Sequence, residues 1–456
     1  MPAGRVASQA RATAEAVVSV VSSCLGGKRP ADRCLHEYCA RNHQLGSRDR
    51  RLISETLFSV LRWWGWLRKL APVSFLQALE QGDANLPVHP DQWSGVLAAA
   101  WVLENRFDFP PCATNWLRDE RLYPELFQGL SPETPVADRR RNLRPFFQDR
   151  PMPALTLEEL LPDWVAQELS PLPEGASFKS LVEWMQKRPP VWLRAQGLPA
   201  EELSRQLFQE TQGAVKLVPH ALMHDALSLK NTAPALQNTA AFRNGGFEIQ
   251  DLASQAVGLV CDPRAGQQWW DACAGGGGKT LHLAQLMKNR GILEATDLRE
   301  SALEEIHLRA RRGHFGNIRM KTWQGNATPQ NFRDRFDGVL VDTPCSCSGT
   351  WRRNPDRRWN TPHDSIEEFA RLQAQILRAA APAVKPGGTL VYSTCSMLTR
   401  ENQKIVEDFL DENPQFILTP HQDPITGKPS DGMTQHWPWD GNCDAMFTAK
   451  LTRRRI

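Results

Sequence analysis

Residues 342–349 read DTPCSCSG and residues 393–396 read STCS, so three of the chain's ten cysteines stand among turn-forming Pro, Ser and Gly. A thiolate is a strong nucleophile and can later leave, which suits loop cysteines to covalent catalysis. The other thiols read differently. Cys24, Cys34, Cys39, Cys112, Cys261 and Cys443 fit small hydrophobes in a core, and Cys347 is read as a packing residue beside Cys345. There is no CxxC pair, and Cys34, His36 and Cys39 lack a second ligand pair. Neither a disulfide framework nor a structural zinc is indicated.

A second chemical signal is AGGGGKT at residues 274–280. A phosphate-binding P-loop requires a glycine five residues before Gly278, and Cys273 stands there instead. A glycine loop between strand and helix still offers backbone N–H groups to an anionic or carboxylate-bearing ligand. Asp297 in EATDL follows by about 20 residues, where a carboxylate can accept hydrogen bonds from ribose hydroxyls. Because Lys279 and Thr280 fall where a dinucleotide fingerprint needs its third glycine, S-adenosylmethionine fits better than a dinucleotide.

These motifs need elements to position them. After Gly245 strands alternate with helices, and DACAGGGGKT, ATDL, VDTPC and YSTCS each fall where a strand ends. That pattern predicts a doubly wound, Rossmann-like parallel sheet with ligands at the carboxyl ends of its strands. Upstream, AEAVVSVVSSCL, RRLISETLFSVLRWWGWLRKL and WSGVLAAAWVLENRF repeat apolar residues every three or four positions, as an all-α bundle does. Trp63, Trp64 and Trp66 are read as packing within it. The stretch from Ser131 to Pro173, with Arg139, Arg140, Arg141 and Arg144, reads as a basic linker. Helix signals (LEELLPDWVAQEL, FKSLVEWMQK, AEELSRQLFQE) mixed with strand signals (PVWLRAQ, AVKLVPH, ALSLK) then suggest a small α+β module. The expected division is 1–150 helical, 151–240 linker and α+β module, and 241–456 catalytic.

FEIQDLASQ, DACAGGGGKT, VDTPCSCSGTWRRNPD and YSTCSMLTRENQ, in that order, resemble the RsmB/Sun family of RNA cytosine-C5 methyltransferases, and CDAMFTAKL resembles that family's closing strand. The resemblance implies an S-adenosylmethionine site built from Cys273, Ala274, Gly275, Gly276, Gly277, Gly278 and Lys279, with Asp297, Asn326 and Asp342. Gly276 replaces the family's usual proline, and Asn326 a common aspartate. It also implies that Cys395 is the nucleophile at cytosine carbon 6, that Cys345 assists product release and that Asp342 holds the ring's polar edge. Lys279 is an auxiliary that would lower a thiol pKa. In related DNA enzymes the Pro-Cys cysteine attacks instead, so spacing alone does not decide between Cys345 and Cys395. The segment SRDRRLISETLFSVLR resembles a NusB-like RNA-binding domain, and RPPVWLRAQG the start of an RRM-like module.

Composition agrees with a folded chain, at 41% hydrophobic and 23% charged residues. The net charge of +3 says little, but residues 1–70 hold 12 Lys and Arg against 5 Asp and Glu, which favours a polyanion if they share a face. Arg352, Arg353, Arg357 and Arg358 in WRRNPDRRW follow the cysteine loop and suit phosphate contacts. The expected partner is ribosomal RNA of the small subunit, with transfer RNA as the alternative, and the target cytosine must leave any stack. A DNA methyltransferase would need a large recognition region beyond Cys395. A non-catalytic assembly factor would not need both cysteines. No run of about 18 apolar residues occurs, so no membrane span is expected. The apolar core of AEAVVSVVSSCLGG is too short for a signal segment, so a cytoplasmic address is expected, and a monomer without metal is the further expectation.

Overall fold

The computed structural model describes residues 3–83, 86–104, 110–117, 131, 133–147, 151–230 and 236–455. Residues 105–107 of the expected third amphipathic helix lie outside them. The chain forms two compact units, one of residues 1–167, 172–188 and 351–362, the other of residues 168–171, 189–350 and 363–456.

The first unit is helical, with its longer helices at Ala3–Gly26, Ala31–Arg41, Ser47–Arg62 and Ser94–Glu104. Trp63, Trp64 and Trp66 are all buried, Trp64 stacked on Trp93, which leaves them structural as expected. Where a basic linker was anticipated, short helices run over Val136–Phe147, and Arg139 is buried with its guanidinium on the Thr134 and Leu103 carbonyls. The helix Phe178–Met185 belongs to this unit and not to the α+β module.

The larger departure from expectation concerns WRRNPDRRW. Arg352 and Arg358 are fully buried, so neither is available to a phosphate. Arg358 donates to the carbonyls of Leu160, Met185 and Trp351 at 3.1–3.2 Å and of Arg62 at 3.4 Å. Burial pushes its pKa down to about 9, which leaves it charged at neutral pH. Arg352 donates to Lys187 O at 3.2 Å. A guanidinium carries five donors in a planar fork, and here the fork gathers carbonyls from several segments of one unit.

In the second unit, β1 (Trp192–Ala195), β2 (Leu217–Pro219), β3 (Ala226–Leu229) and β4 (Phe247–Ile249) form an antiparallel sheet in the order β2-β3-β1-β4. Helices Ala200–Glu210 and Ala240–Arg243 follow β1 and β3, giving the chain order βαββαβ. Leu193, Ala195 and Leu227 pack with Leu203 and Leu207, whereas Trp192 and Ala226 join the core around Trp269. Both faces of the two central strands are thus covered.

The large sheet contains β5 (Gln268–Asp271), β6 (Ile292–Asp297), β7 (Ile318–Thr322), β8 (Phe336–Asp342) and β9 (Val384–Thr394), all parallel. After β10 (Phe416–Leu418) comes a ribbon of β11 (His421–Gln422) and β12 (Pro429–Ser430), then β13 (Met433–His436) and β14 (Met446–Arg453). The strand order is β10-β14-β9-β8-β5-β6-β7, with β14 antiparallel to β9, β10 and β13. The sheet is therefore mixed: β5–β9 are parallel, as the doubly wound reading expects, and one edge is antiparallel.

Its central strands alternate between two cores, as the period of two requires. Trp270, Val339, Val341, Leu390 and Tyr392 face Ile376, Leu377, Ile405 and Phe409, while Trp269, Leu340 and Val391 face Leu252, Ala256, Leu283 and Ala284. Gly338 lies so close to the Trp269 ring that a Cβ there would fall 2.2 Å from it. Burial on both faces explains the near-continuous apolar reading of these strands. Among the described residues no helix is long and apolar enough to cross a membrane.

Candidate active site

Strands β8 and β9 run parallel with Asp342 opposite Ser393, so the chain that leaves each strand turns at the same edge. Cys345 lies three residues beyond β8 and Cys395 one beyond β9, and their sulfurs are 3.3 Å apart. Two cysteines separated by 50 residues in sequence become neighbours through strand register alone. Ser393 Oγ donates to Asp342 Oδ1 at 2.7 Å, and Lys279, at the start of the helix Gly278–Leu286, donates to Asp342 Oδ2 at 2.7 Å. One carboxylate thus joins the glycine loop to both cysteine loops.

Glu401, next to both cysteine loops through its hydrogen bonds, is fully buried. It accepts from Ser346 N at 2.8 Å, from the Ser346 and Ser396 hydroxyls and from Gln373 Nε2 at 2.9 Å. Ser348 and Ser396 share a hydroxyl contact at 3.1 Å, and Gly349 N donates to Cys395 O at 2.9 Å. A buried carboxylate needs its lone pairs met, and here the donors come from both cysteine loops. Burial raises the Glu401 pKa, opposed by these donors.

The glycine loop follows β5. Gly275 and Gly277 have φ of 54° and 86°, conformations that disfavour any side chain, and nothing lies within 4 Å of where a Gly275 Cβ would be. Gly275 N donates to Asp297 Oδ2 at 2.9 Å, and Arg299 N and Nε reach Asp297 Oδ1 at 2.9 and 3.1 Å. Asp297 therefore ends β6 beside the loop, as expected. Ala274 is buried, while Cys273, Gly276 and Gly278 are partly buried in the same turn. At Gly276 a Cβ would press on the Glu305 carboxylate at 3.1 Å. Asn326 is exposed in the loop after β7. The open backbone at Gly275 and the carboxylate of Asp297 fit a ligand with an anionic end and a ribose, as S-adenosylmethionine has.

For Cys395, the Cys345 hydrogen bond favours the thiolate, but the Cys347 contact, burial and the negative Asp342 outweigh it and hold the thiol well above its ordinary pKa. The Cys347 and Cys395 contacts, with burial, raise Cys345 likewise. Burial alone would push Lys279 down, yet Asp342 more than offsets it and holds the ammonium charged. Asp271, wholly buried at the end of β5, is pushed up to about 7 by desolvation, although Thr280 Oγ1 donates to its Oδ2 at 2.7 Å. Its Oδ1 meets no donor among the described residues.

The site thus brings together Asp342, Cys345, Cys395 and Lys279, with Cys273–Gly278 and Asp297 at adjoining strand ends. Sequence reasoning missed Glu401, Ser393 and Arg194. Arg194, fully buried on β1, donates to Gly278 O at 3.1 Å and to Gln285 Oε1 at 3.0 Å, which ties the small sheet to the glycine loop. Glu401 follows STCS by five residues, and that fixed proximity was the one available signal.

The sequence model of the family described as 16S rRNA methyltransferase RsmB/F matches residues 258–452. The ribosomal RNA small subunit methyltransferase B of Yersinia pseudotuberculosis serotype O:1b (strain IP 31758) is 32% identical over 296 residues, 65% of this chain and 67% of that one. The protein of the same name from Yersinia pestis gives the same figures. Among solved structures, PH0851 shares the fold with a TM-score of 0.71 at 24% identity, over 96% of this chain and 98% of that one. A methyltransferase homolog protein from Pyrococcus horikoshii is 26% identical with a TM-score of 0.50, over 60% of this chain and 90% of its own. NSun6 from Pyrococcus horikoshii, solved with SFG, shares the fold with a TM-score of 0.53 at 19% identity, over 60% of this chain and 94% of that one.

Proposed function

The chain belongs to the RsmB/F family of methyltransferases, and on that premise we propose that it methylates carbon 5 of a cytosine in small-subunit ribosomal RNA through a covalent Cys395 adduct. The observation that carries this reading is the 3.3 Å separation of the Cys345 and Cys395 sulfurs beside Asp342. Attack at carbon 6 and proton removal at carbon 5 act on neighbouring atoms of one ring, so the two groups must be neighbours too.

S-adenosylmethionine would supply the electrophilic methyl group, held by residues 273–279, Asp297, Asn326 and Asp342. Cys395 gives up its proton to solvent and bonds through sulfur to carbon 6, and the opening of the carbon 5–carbon 6 double bond makes carbon 5 electron-rich. Asp342, oriented by Lys279 and Ser393, accepts hydrogen bonds from the ring's polar edge. After transfer Cys345 assists loss of the carbon 5 proton, the electrons re-form the ring double bond and the carbon 6–sulfur bond breaks.

The helical unit is read as a NusB-like RNA-binding part and β1–β4 as an RRM-like module. The βαββαβ order and the strand order β2-β3-β1-β4 support the second reading. Its covered central strands leave no open aromatic platform, so base stacking there is not part of the proposal.

The test is a covalent trap with S-adenosylmethionine and ribosomal RNA containing 5-fluorocytosine. The wild type is expected to form a denaturant-stable adduct and Cys395→Ala none. With unmodified RNA, Cys345→Ala should accumulate adduct. Adduct with transfer RNA alone would move the substrate, and adduct in Cys395→Ala but not in Cys345→Ala would exchange the two roles.

A further inference from the structure

A third sulfur stands at this site without a part in methyl transfer. The Sγ atoms of Cys345, Cys347 and Cys395 all lie within 4.8 Å of one another, the only such cluster of three potential metal ligands among the described residues. Cys347 holds its place at φ 57°, in the left-handed region that favours glycine. Its carbonyl accepts from Thr350 N and Thr350 Oγ1, each at 2.9 Å, and its thiol donates to Cys345 O at 3.4 Å. A side chain kept in an unfavourable backbone conformation and turned toward two other thiols calls for a physical reason.

We propose that Cys345, Cys347 and Cys395 form a binding site for one thiophilic d10 cation of the zinc class, and that its occupancy reversibly blocks the nucleophile. Zinc–sulfur bonds of about 2.3 Å at tetrahedral angles separate sulfurs by about 3.8 Å. That value falls between the 3.3 Å of the Cys345–Cys395 pair and the 4.8 Å limit of the cluster, so side-chain rotation alone could close the site. Binding releases the three S–H protons to solvent and places three thiolates on the cation, with no change of oxidation state. The fourth position stays open, as at sites with three protein ligands. Thiolates select soft cations over magnesium or calcium, so the ions that accompany RNA would not compete. A Cys395 sulfur committed to the cation cannot add to carbon 6. This last consequence rests on the function proposed above, while the binding itself does not.

The experiment titrates the reduced full-length protein with cadmium, following sulfur-to-metal charge-transfer absorption, and then displaces it with zinc. One equivalent per chain is expected. Cys347→Gly, which suits the left-handed backbone, and Cys347→Ser are each referenced to their own rate in metal-free buffer, because losing the Cys347 contact also shifts the Cys395 thiol. In each, cadmium affinity and sensitivity to zinc inhibition should fall on the order of tenfold or more. Absence of a charge-transfer band at one equivalent in the wild type, or equal affinities in the wild type and both variants, would overturn the proposal. Cadmium binding that depends on Cys347 in a protein that methylates no RNA would leave the metal site standing and remove the function instead.

Discussion

In the proposed reaction Cys395 must be a thiolate to attack, yet the Cys347 contact, burial and Asp342 hold it as a thiol. Its reactive fraction therefore grows as pH rises, and the single-turnover rate should keep climbing through the ordinary thiol range without levelling off there. Lys279 is the cation set against that penalty. Lys279→Met should shift the alkaline limb of the pH–rate profile to higher pH, and an unshifted profile would show that the lysine acts only through Asp342. Asp271 behaves in the opposite sense to a salt-bridged carboxylate. Its folded pKa of about 7 exceeds the usual carboxylate value near 4, so the folded state binds the extra proton and loses stability as pH rises between those values. Asp271→Asn, which removes the titration, should lose less Tm than the wild type over that interval, as calorimetry can read.

At the scale of elements, the site is a consequence of register between β8 and β9 and of the carboxylate bonded to both their turns. Glu401→Gln keeps the size but converts accepted hydrogen bonds into a mixture of donors and acceptors that Ser346, Ser396 and Gln373 cannot all meet. A displacement of about 1 Å between reacting groups can cost about 100-fold in rate. The variant should lose roughly 10- to 100-fold in kcat with little change in KM, and an unchanged kcat would remove the positioning role. Most of this architecture was legible in advance: all four strand ends bearing motifs fall as read, because apolar runs closed by Asp at three of them and by the Ser-Thr-Cys-Ser turn at the fourth mark them locally. Strand direction was not, since β14 has the same local pattern whether it runs parallel or antiparallel. Glu401 was also hidden, because a charged residue in a polar run looks solvated until tertiary packing covers it, and Arg194 because one charge in a strand reads as its solvent face. Arg352 and Arg358 misled for the same reason, with burial inverting the usual reading of four nearby arginines.

The whole molecule is divided less simply than its sequence. The helical unit takes residues 351–362 from the middle of the catalytic half, and Arg358 there meets four carbonyls. Arg358→Met would leave these acceptors unpaired in a buried place, each at a cost of about 1 kcal/mol or more. A loss of at least about 3 kcal/mol in urea unfolding of the helical unit is expected, and a change under about 1 kcal/mol would contradict the carbonyl-gathering role. A fragment of residues 1–188 should likewise gain order, by circular dichroism, when a synthetic 351–362 peptide is added. The same threading sets a schedule for biosynthesis. Residues 1–188 lack their last piece until residue 362 has been made, which at about 5–20 residues per second is a wait on the order of ten seconds or more. The helical unit thus stays incomplete while residues 189–350 of the other unit are made, and its unfilled core is exposed for that interval.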